Sequence, residues 1–503
     1  MLINEELKLE IEKLCNTFQD ASISDAVDIA EHVGYFMLIR KLDKEDAAKE
    51  KENLILGIGY KSIFNKKEKY LRWSNLKDSN IDDTYKALST DINKFIDDIS
   101  NEQQYSYLKS ISGISIRINK ENIGLFTKII NELESLLNKY ERSQGEIFEY
   151  LVTKIQPIKE EGRFVTPRHI VDMIVQLMDP KIEDVIMDPA CGTGGFLVHS
   201  SEYIRKNYEN ELHKRDNREY FKSKMFNGLD SSSELARISN INMILHGIDG
   251  ANIKCVNSLS DKNLDREKYT MIMTNMPFNG ALDKENVAGD VLKVIKDNSK
   301  IEGLFTALGI KMLKLGGRCA CIVPDGFVSS TKVFPRVRKK LVEEHKVEAV
   351  ISIPAGVFTT KNKSGKESGV KASIIIFAKT GCGGTDKVWF YDMEADGYSL
   401  DGKREKIEEN DIPDIINRFK NLEKEEGRKR TEKSFLVEID DIKDTVVDDK
   451  GKQYYSLAVQ DYKMHVYEEI KYEDPEIIID RIDKLEYEIV NGINEIKKLI
   501  NNK

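Results

Sequence analysis

The stretch "DVIMDPACGTGGFLVHS", residues 184–200, decides the fold. Apolar, strand-like text ends at Asp188, passes through a glycine-rich turn and enters helix-forming sequence. Glycines at 192, 194 and 195 let backbone approach a ligand closely and permit positive φ. A nicotinamide dinucleotide site needs G-x-G-x-x-G with an acid about 20 residues on, whereas the glycines here run G-x-G-G and the next strand-end acid, Asp230, lies well beyond that spacing. No P-loop pattern occurs anywhere in the chain. A carboxylate at 188 would repel a pyrophosphate and suits a ligand with an ammonium group. S-adenosyl-L-methionine carries one, with a ribose and an adenine and no phosphate.

Outward from this stretch, short apolar runs alternate with amphipathic segments. "DVIMD", "MFNGLD", "NIKCV", "YTMIMT", "RCACIV", "VEAVISI" and "ASIIIFA" read as seven strands, with "SELARISNINMILHG" and "GLFTALGIKMLKLGG" among the intervening helices. This alternation predicts an α/β fold with a mostly parallel, Rossmann-like sheet, and a ligand beyond the carboxyl ends of its strands. Asp230 ends the second strand, placed for ribose hydroxyls, and Asn257 ends the third, placed for an adenine edge.

The fourth strand runs into "MIMTNMPFNG", residues 271–280. Pro277 fixes its own φ and biases Met276 toward extended backbone, so the Asn275 amide oxygen and the Met276 carbonyl can point the same way. Two adjacent acceptors suit an exocyclic amine. Phe278, read as exposed, offers a face on which a planar base can stack. An aromatic amine is a weak nucleophile, and acceptors on its hydrogens stabilise charge developing on nitrogen. No metal is called for.

The chain has 503 residues and a net charge of −9, with 40% hydrophobic and 32% charged residues, as in an ordinary globular protein. An acidic chain is a poor solitary binder of DNA phosphates. The six cysteines are scattered without a CxxC pair, which argues against a disulfide framework or a zinc site. No apolar run reaches membrane-spanning length, and acids stand where a signal peptide carries bases, so the expectation is a cytoplasmic protein with no membrane association. Three regions follow: residues 1–142, helical; residues 143–460, the α/β region; and residues 461–503, an amphipathic helix. In that helix Ile478, Ile482, Leu485, Ile489, Ile493 and Ile496 step by four or three, a seam that needs a partner in this chain or another.

The glycine loop, the strand-end acid and the tetrapeptide, in that order, resemble the amino-methyltransferases of DNA, and in particular the modification (M) subunit of type I restriction–modification systems. "GRFVTPRHIVDMIVQLM" resembles the motif preceding that family's glycine loop, and "VWFYDMEADGYSLDGKREKIEENDIPDI" is similar to a segment typical of it. The resemblance implies N6-adenine methylation of double-stranded DNA, with the base rotated out of the duplex. It implies that Phe164, Val165, Thr166 and Pro167 line the cofactor site with Gly192, Thr193 and Gly194. It also implies that Asp230 holds the ribose and that Asn275, Met276, Pro277 and Phe278 hold the adenine. Implied partners are a specificity (S) subunit, in a complex with two M copies per S, and a motor–nuclease (R) subunit for restriction, with the terminal helix docking on the S subunit. Met276 departs from the family's usual proline, Arg163 from its usual Glu, and Asp230 is one methylene shorter than the common Glu. The competing readings are N4-cytosine methylation, methylation of a protein glutamine, and a non-catalytic scaffold.

Overall fold

The structure is a computed structural model and describes residues 5–76, 79–114, 116, 120–153, 165–278, 280–295, 300–361, 367–401, 403–445, 453–464 and 474–501. The chain divides into a unit of residues 1–462 and a unit of residues 463–503.

The first unit opens with helices α1 (Glu5–Asp20), α2 (Ala26–Ile55), α3 (Ile123–Lys139) and α4 (Gln144–Thr153). Asp25 caps α2, its side chain accepting from the Val27 backbone N–H at 2.8 Å, which satisfies one of the orphan donors of the first turn. The centre of α2 is buried on all sides, from Ile29 to Ile39, so its packing is that of a core helix rather than an amphipathic one.

The α/β part follows as α5 (Arg168–Met178), β1 (Ile186–Asp188), α6 (Gly195–Asn207), β2 (Phe226–Asp230), α7 (Ser233–Leu245), β3 (Asn252–Cys255), β4 (Tyr269–Asn275), β5 (Leu313–Pro324), β6 (Lys346–Lys361), β7 (Glu367–Ala378), β8 (Lys387–Asp392), β9 (Asp396–Tyr398), β10 (Lys406–Asn410) and β11 (Ser434–Glu438). Nine strands form one sheet in the order β11-β8-β6-β7-β5-β4-β1-β2-β3, and β9 and β10 make a separate hairpin. The seven strands expected from the sequence are all present. Two more extend the edge: β8 pairs in parallel with β6, and β11 runs antiparallel to β8.

Continuous apolar text in β4 reflects cover on both faces of the sheet. Met271, Ile272 and Met273 are completely buried, each burial being worth roughly 1.5–3 kcal/mol of transfer free energy. Cys319 and Cys321 join the core on one face of β5, while Ala320 and Ile322 face the other.

The helical segments share a core with the sheet's cover. Ile238, Ile241 and Ile244 of α7 belong to the same apolar cluster as Phe36 of α2 and Phe148 of α4. At Gly34 a Cβ would lie 2.7 Å from Phe148 and 2.8 Å from Ile241, so only glycine permits this approach of α2. Arg237 of α7 donates to Glu31 of α2 at 2.5 Å and ties the same surfaces together.

The strand order places the site. From β1 the chain proceeds outward to β2 and β3, while β4 lies on the other side of β1, in register Ile186↔Met271. The order reverses between β1 and β4, and the carboxyl ends of that pair form the switch point where such sheets bind ligands.

The second unit contains one described helix, α8 (Pro475–Asn501). Its apolar seam has no other described element within that unit to cover it. No described helix of the chain is long and apolar enough to cross a membrane.

Candidate functional site

Two loops meet at the switch point. After β1, Gly192 and Gly194 adopt φ of 52° and 85°, a region that disfavours side chains. The Gly192 N–H donates to Asp230 Oδ2 at 3.0 Å, and the Ser232 N–H donates to Oδ1 at 2.8 Å. Each carboxylate oxygen keeps a second acceptor position, so Asp230 can brace the loop and still receive hydroxyls. Asn242 of α7 supports the loop from behind, donating from Nδ2 to the Thr193 carbonyl at 3.0 Å. A Cβ on Gly192 would meet nothing within 4 Å, whereas one on Gly194 would lie 2.5 Å from Ser239 Oγ. The loop is thus tight against α7 on one side and open on the other. Gly194→Ala combines that clash with an unfavourable φ, a strain on the order of 1–3 kcal/mol. Cofactor affinity measured by calorimetry is expected to fall roughly 10- to 100-fold, with the far-UV dichroism unchanged.

Asp188 ends β1 and is 2% exposed. Burial pushes its pKa up to about 7, although its Oδ1 accepts the Ala190 backbone N–H at 3.0 Å, which works against that rise. A carboxyl group poised near neutrality takes its charge readily when a cation arrives. The acceptor set therefore fits S-adenosyl-L-methionine: a carboxyl group for the ammonium, a second carboxylate for the ribose, and a glycine loop whose outer face is open.

The tetrapeptide closes β4 beside this loop. Asn275 is half-buried, and its Nδ2 donates to Thr166 Oγ1 at 3.0 Å, across 109 residues of sequence. This turns the amide oxygen away from Thr166. Met276 packs into the core on one face of the sheet and Phe278 into the core on the other; residues two apart on a regular strand would share a face, so the backbone leaves strand geometry around Pro277.

Phe278 corrects the sequence-based expectation of an exposed ring. It is 1% exposed and meets Phe358 edge to face, with centroids 6.3 Å apart and planes at 68°. The cause lies in β6. Its pairing with β7 is interrupted between Ile353 and Phe358, and the strand then resumes with Phe358 against the tetrapeptide. In this arrangement Phe278 anchors the tetrapeptide to the core, and stacking on a base requires it to part from Phe358.

Among the other expected residues, Val165 is 41% exposed, Thr166 and Pro167 are half-buried ahead of α5, and Phe164 lies outside the described residues, as does Arg163. Asn257 is exposed two residues beyond β3, and its Oδ1 accepts the Leu259 N–H at 3.1 Å, closing a local turn.

A buried ion cluster behind the loop has no counterpart in the sequence reading. His199 of α6 bonds Asp172 of α5 at 2.5 Å and Glu149 of α4 through its other ring nitrogen. Burial alone would lower its pKa, but the two carboxylates outweigh burial and raise it to about 9. Glu149, Glu202 and His246 bring ligand-type atoms within 4.8 Å of one another. Arg168 already lies 3.2 Å from Glu149 and 3.4 Å from Glu202, so the positive charge there is supplied by the protein. Polar residues on otherwise apolar helical faces, such as His199 in "GGFLVHS", were the available signal.

A raised histidine pKa stabilises the fold fully below its unfolded value of about 6.5, and this contribution is lost as the pH climbs through about 9. Wild-type protein is expected to lose on the order of 2–3 kcal/mol over that window. The decline, followed by thermal unfolding at intervals from pH 6 to 9.5, should flatten in His199→Gln.

A family model described as N-6 DNA Methylase matches residues 141–462. The type I restriction enzyme EcoEI methylase subunit of Escherichia coli is 29% identical over 318 residues, covering 61% of this chain and 60% of that protein. The type I restriction enzyme MjaVII methylase subunit of Methanocaldococcus jannaschii is 26% identical over 347 residues, covering 64% and 56% respectively. The chain thus spans less than two thirds of the length of these curated relatives. Among solved structures, a type I restriction-modification system methyltransferase subunit from Streptococcus thermophilus superposes with a TM-score of 0.65 at 17% identity, covering 87% of this chain and 96% of that one. At such identity the superposition speaks for the fold alone. The family match runs from α4 through the glycine loop and the tetrapeptide to the end of the first unit, more than half of the sequence, and the chain belongs to the N-6 DNA Methylase family.

Proposed function

We propose that the chain transfers a methyl group from S-adenosyl-L-methionine to N6 of an adenine rotated out of double-stranded DNA, as the modification subunit of a type I restriction–modification complex. The observation that carries this reading is the position of Asn275. It closes β4 beside the glycine loop of β1 at the switch point, with its amide nitrogen tied to Thr166.

In this reading Asp188 receives the ammonium group, Asp230 the ribose hydroxyls and Asn257 the adenine edge, with Val165, Thr166, Pro167 and the loop Gly192-Thr193-Gly194 lining the site. When bound, the cofactor supplies an electrophilic methyl on a sulfonium. Asn275 Oδ1 and the Met276 carbonyl accept the two N–H bonds of the target amine, favouring the pyramidal nitrogen that can attack and stabilising its developing charge. Held by these two acceptors, the amine would take the methyl that the cofactor supplies and release one N6 proton to solvent. Alignment supplies much of the remaining acceleration. Extrusion of the base has a cost of a few kcal/mol, met by contacts to the flipped base.

The net charge of −9 argues for borrowed DNA affinity. We assign that role to a specificity (S) subunit, shared by two copies of this chain and docked through the seam of α8, with a motor–nuclease (R) subunit joining for restriction. Residues 1–142 serve as the helical domain, 143–460 as the catalytic domain and 461–503 as the docking helix.

The test is direct. The chain is purified with its S subunit, given labelled S-adenosyl-L-methionine and cognate duplex, and the product nucleosides are resolved. Label in N6-methyladenine is expected. Label in cytosine, label in protein, or no transfer would overturn the reading.

A further inference from the structure

The segment "VWFYDMEADGYSLDGKREKIEENDIPDI" has no chemical role in the mechanism above, yet it builds the hairpin β9–β10 next to the start of α5. Asp396, at the hairpin's beginning, is 1% exposed, and a carboxylate so buried needs paired charge. Arg404 supplies that charge on Oδ2, and His169 of α5 donates from Nε2 to the same oxygen at 2.7 Å. Burial would raise the Asp396 pKa, but these two partners hold it below the ordinary carboxylate range. The Tyr398 ring lies along the His169 ring, with centroids 4.7 Å apart and planes at 30°, and the Arg404 guanidinium sits 5.5 Å from the Tyr398 centroid. The hairpin is seated on β6: a Cβ at Gly356 would collide with the Leu400 carbonyl oxygen, so only glycine allows this contact.

His169 stands three residues after Thr166. Between them Pro167 opens α5, its carbonyl accepting the Ile170 and Val171 N–H groups at 3.0 and 3.1 Å. The path from Asp396 to His169, through this first turn to Thr166, ends on Asn275 Nδ2. We propose that the β9–β10 hairpin is a clamp that sets the orientation of the Asn275 amide, with Asp396, Tyr398 and His169 as positioning residues. This inference rests on the methyl-transfer reading given above. It explains why a segment remote in sequence from the tetrapeptide packs so closely on the turn that holds it. An amide that rotates freely about its last torsion presents oxygen to the amine only part of the time, and a misplacement of an ångström is costly to transfer.

Two measurements test the clamp. In the complex with S subunit and DNA, His169→Ala is expected to lower kcat about 10- to 100-fold at saturating cofactor. His169→Gln, which keeps a donor for Asp396, should recover part of the loss. Thr166→Val removes the acceptor through which the clamp acts, so adding His169→Ala to it should lower kcat no further. Additive losses, or an unchanged kcat in His169→Ala, overturn the proposal. On the full chain alone, hydrogen exchange at the Ile170 and Val171 amides should accelerate in His169→Ala, and unchanged exchange overturns the clamp whatever the activity. A wild-type complex that transfers no methyl counts against the proposed function instead, and the exchange result then decides the clamp by itself.

Discussion

Asn275→Ala is expected to lower methyl transfer by about 10²- to 10³-fold, the loss found when one preorganised group facing a developing charge is removed. Cofactor affinity should be nearly unaffected, because the role proposed for the residue is on the base. The side chain truncated is the one whose nitrogen is tied to Thr166 at 3.0 Å, so its oxygen is held in one orientation before any base arrives. That preorganisation is what alanine cannot replace. Asn275→Asp keeps acceptor oxygens, and the Thr166 hydroxyl can turn to donate to them, so it should retain more activity than the alanine variant. Single-turnover kinetics in the complex with S subunit, paired with calorimetry of cofactor binding, separate the two effects. A large loss of cofactor affinity in Asn275→Ala would remove the residue from its assigned role.

The second large effect is expected at Asp188. In the free protein this carboxyl group has a pKa of about 7, raised first by its burial. Binding an ammonium group favours the ionised form, so protons compete with cofactor below that pH. Affinity should therefore fall by up to tenfold per pH unit as the pH drops below about 7 and level off above it. An α-amino group loses its own proton near pH 7.7–8.0, so a second, alkaline decline should follow. Asp188→Asn preserves the shape and the acceptor for the Ala190 N–H but removes the charge. Leaving an ammonium unpaired in a buried site costs about 3–5 kcal/mol, or roughly two to four decades of affinity. The acid limb of the pH profile should vanish with it. Calorimetry from pH 5.5 to 9 reads both outcomes, and an unchanged acid limb in Asp188→Asn would assign the ammonium to another group.

The buried ring of Phe278 alters how the tetrapeptide is understood. Its contact with Phe358 gives the turn after Asn275 a rigid footing. Any stacking on a flipped base would begin with separation of those two rings. Fixing Asn275 and Met276 from the core side suits the roles proposed for them, a side-chain oxygen and a backbone carbonyl, since both depend on backbone placement.

Much of this was legible in the primary structure because it depends on local chemistry. Apolar runs such as "YTMIMT" announce buried strands, since residues covered on both faces leave no room for polar alternation. Glycines 192 and 194 announce a turn that side chains would strain, and their order with Asp188, Asp230 and Asn275 places three strand ends around one candidate site. β11 was not legible: "SFLVE" is short and lies in polar text, and it becomes a strand only because β8 offers an open edge. Likewise, the exposure of Phe278 depends on Phe358, and the orientation of the Asn275 amide on Thr166, residues far off along the chain. The same holds for His199, whose charge depends on carboxylates from two other helices. The sequence alone determined seven of the nine sheet strands, the loop and the residue types at the strand ends, because backbone preference and hydrophobic periodicity act over a few residues. Only the tertiary structure decided which side chains are buried, paired and oriented, because burial and hydrogen bonding are set by whichever distant segment packs against them.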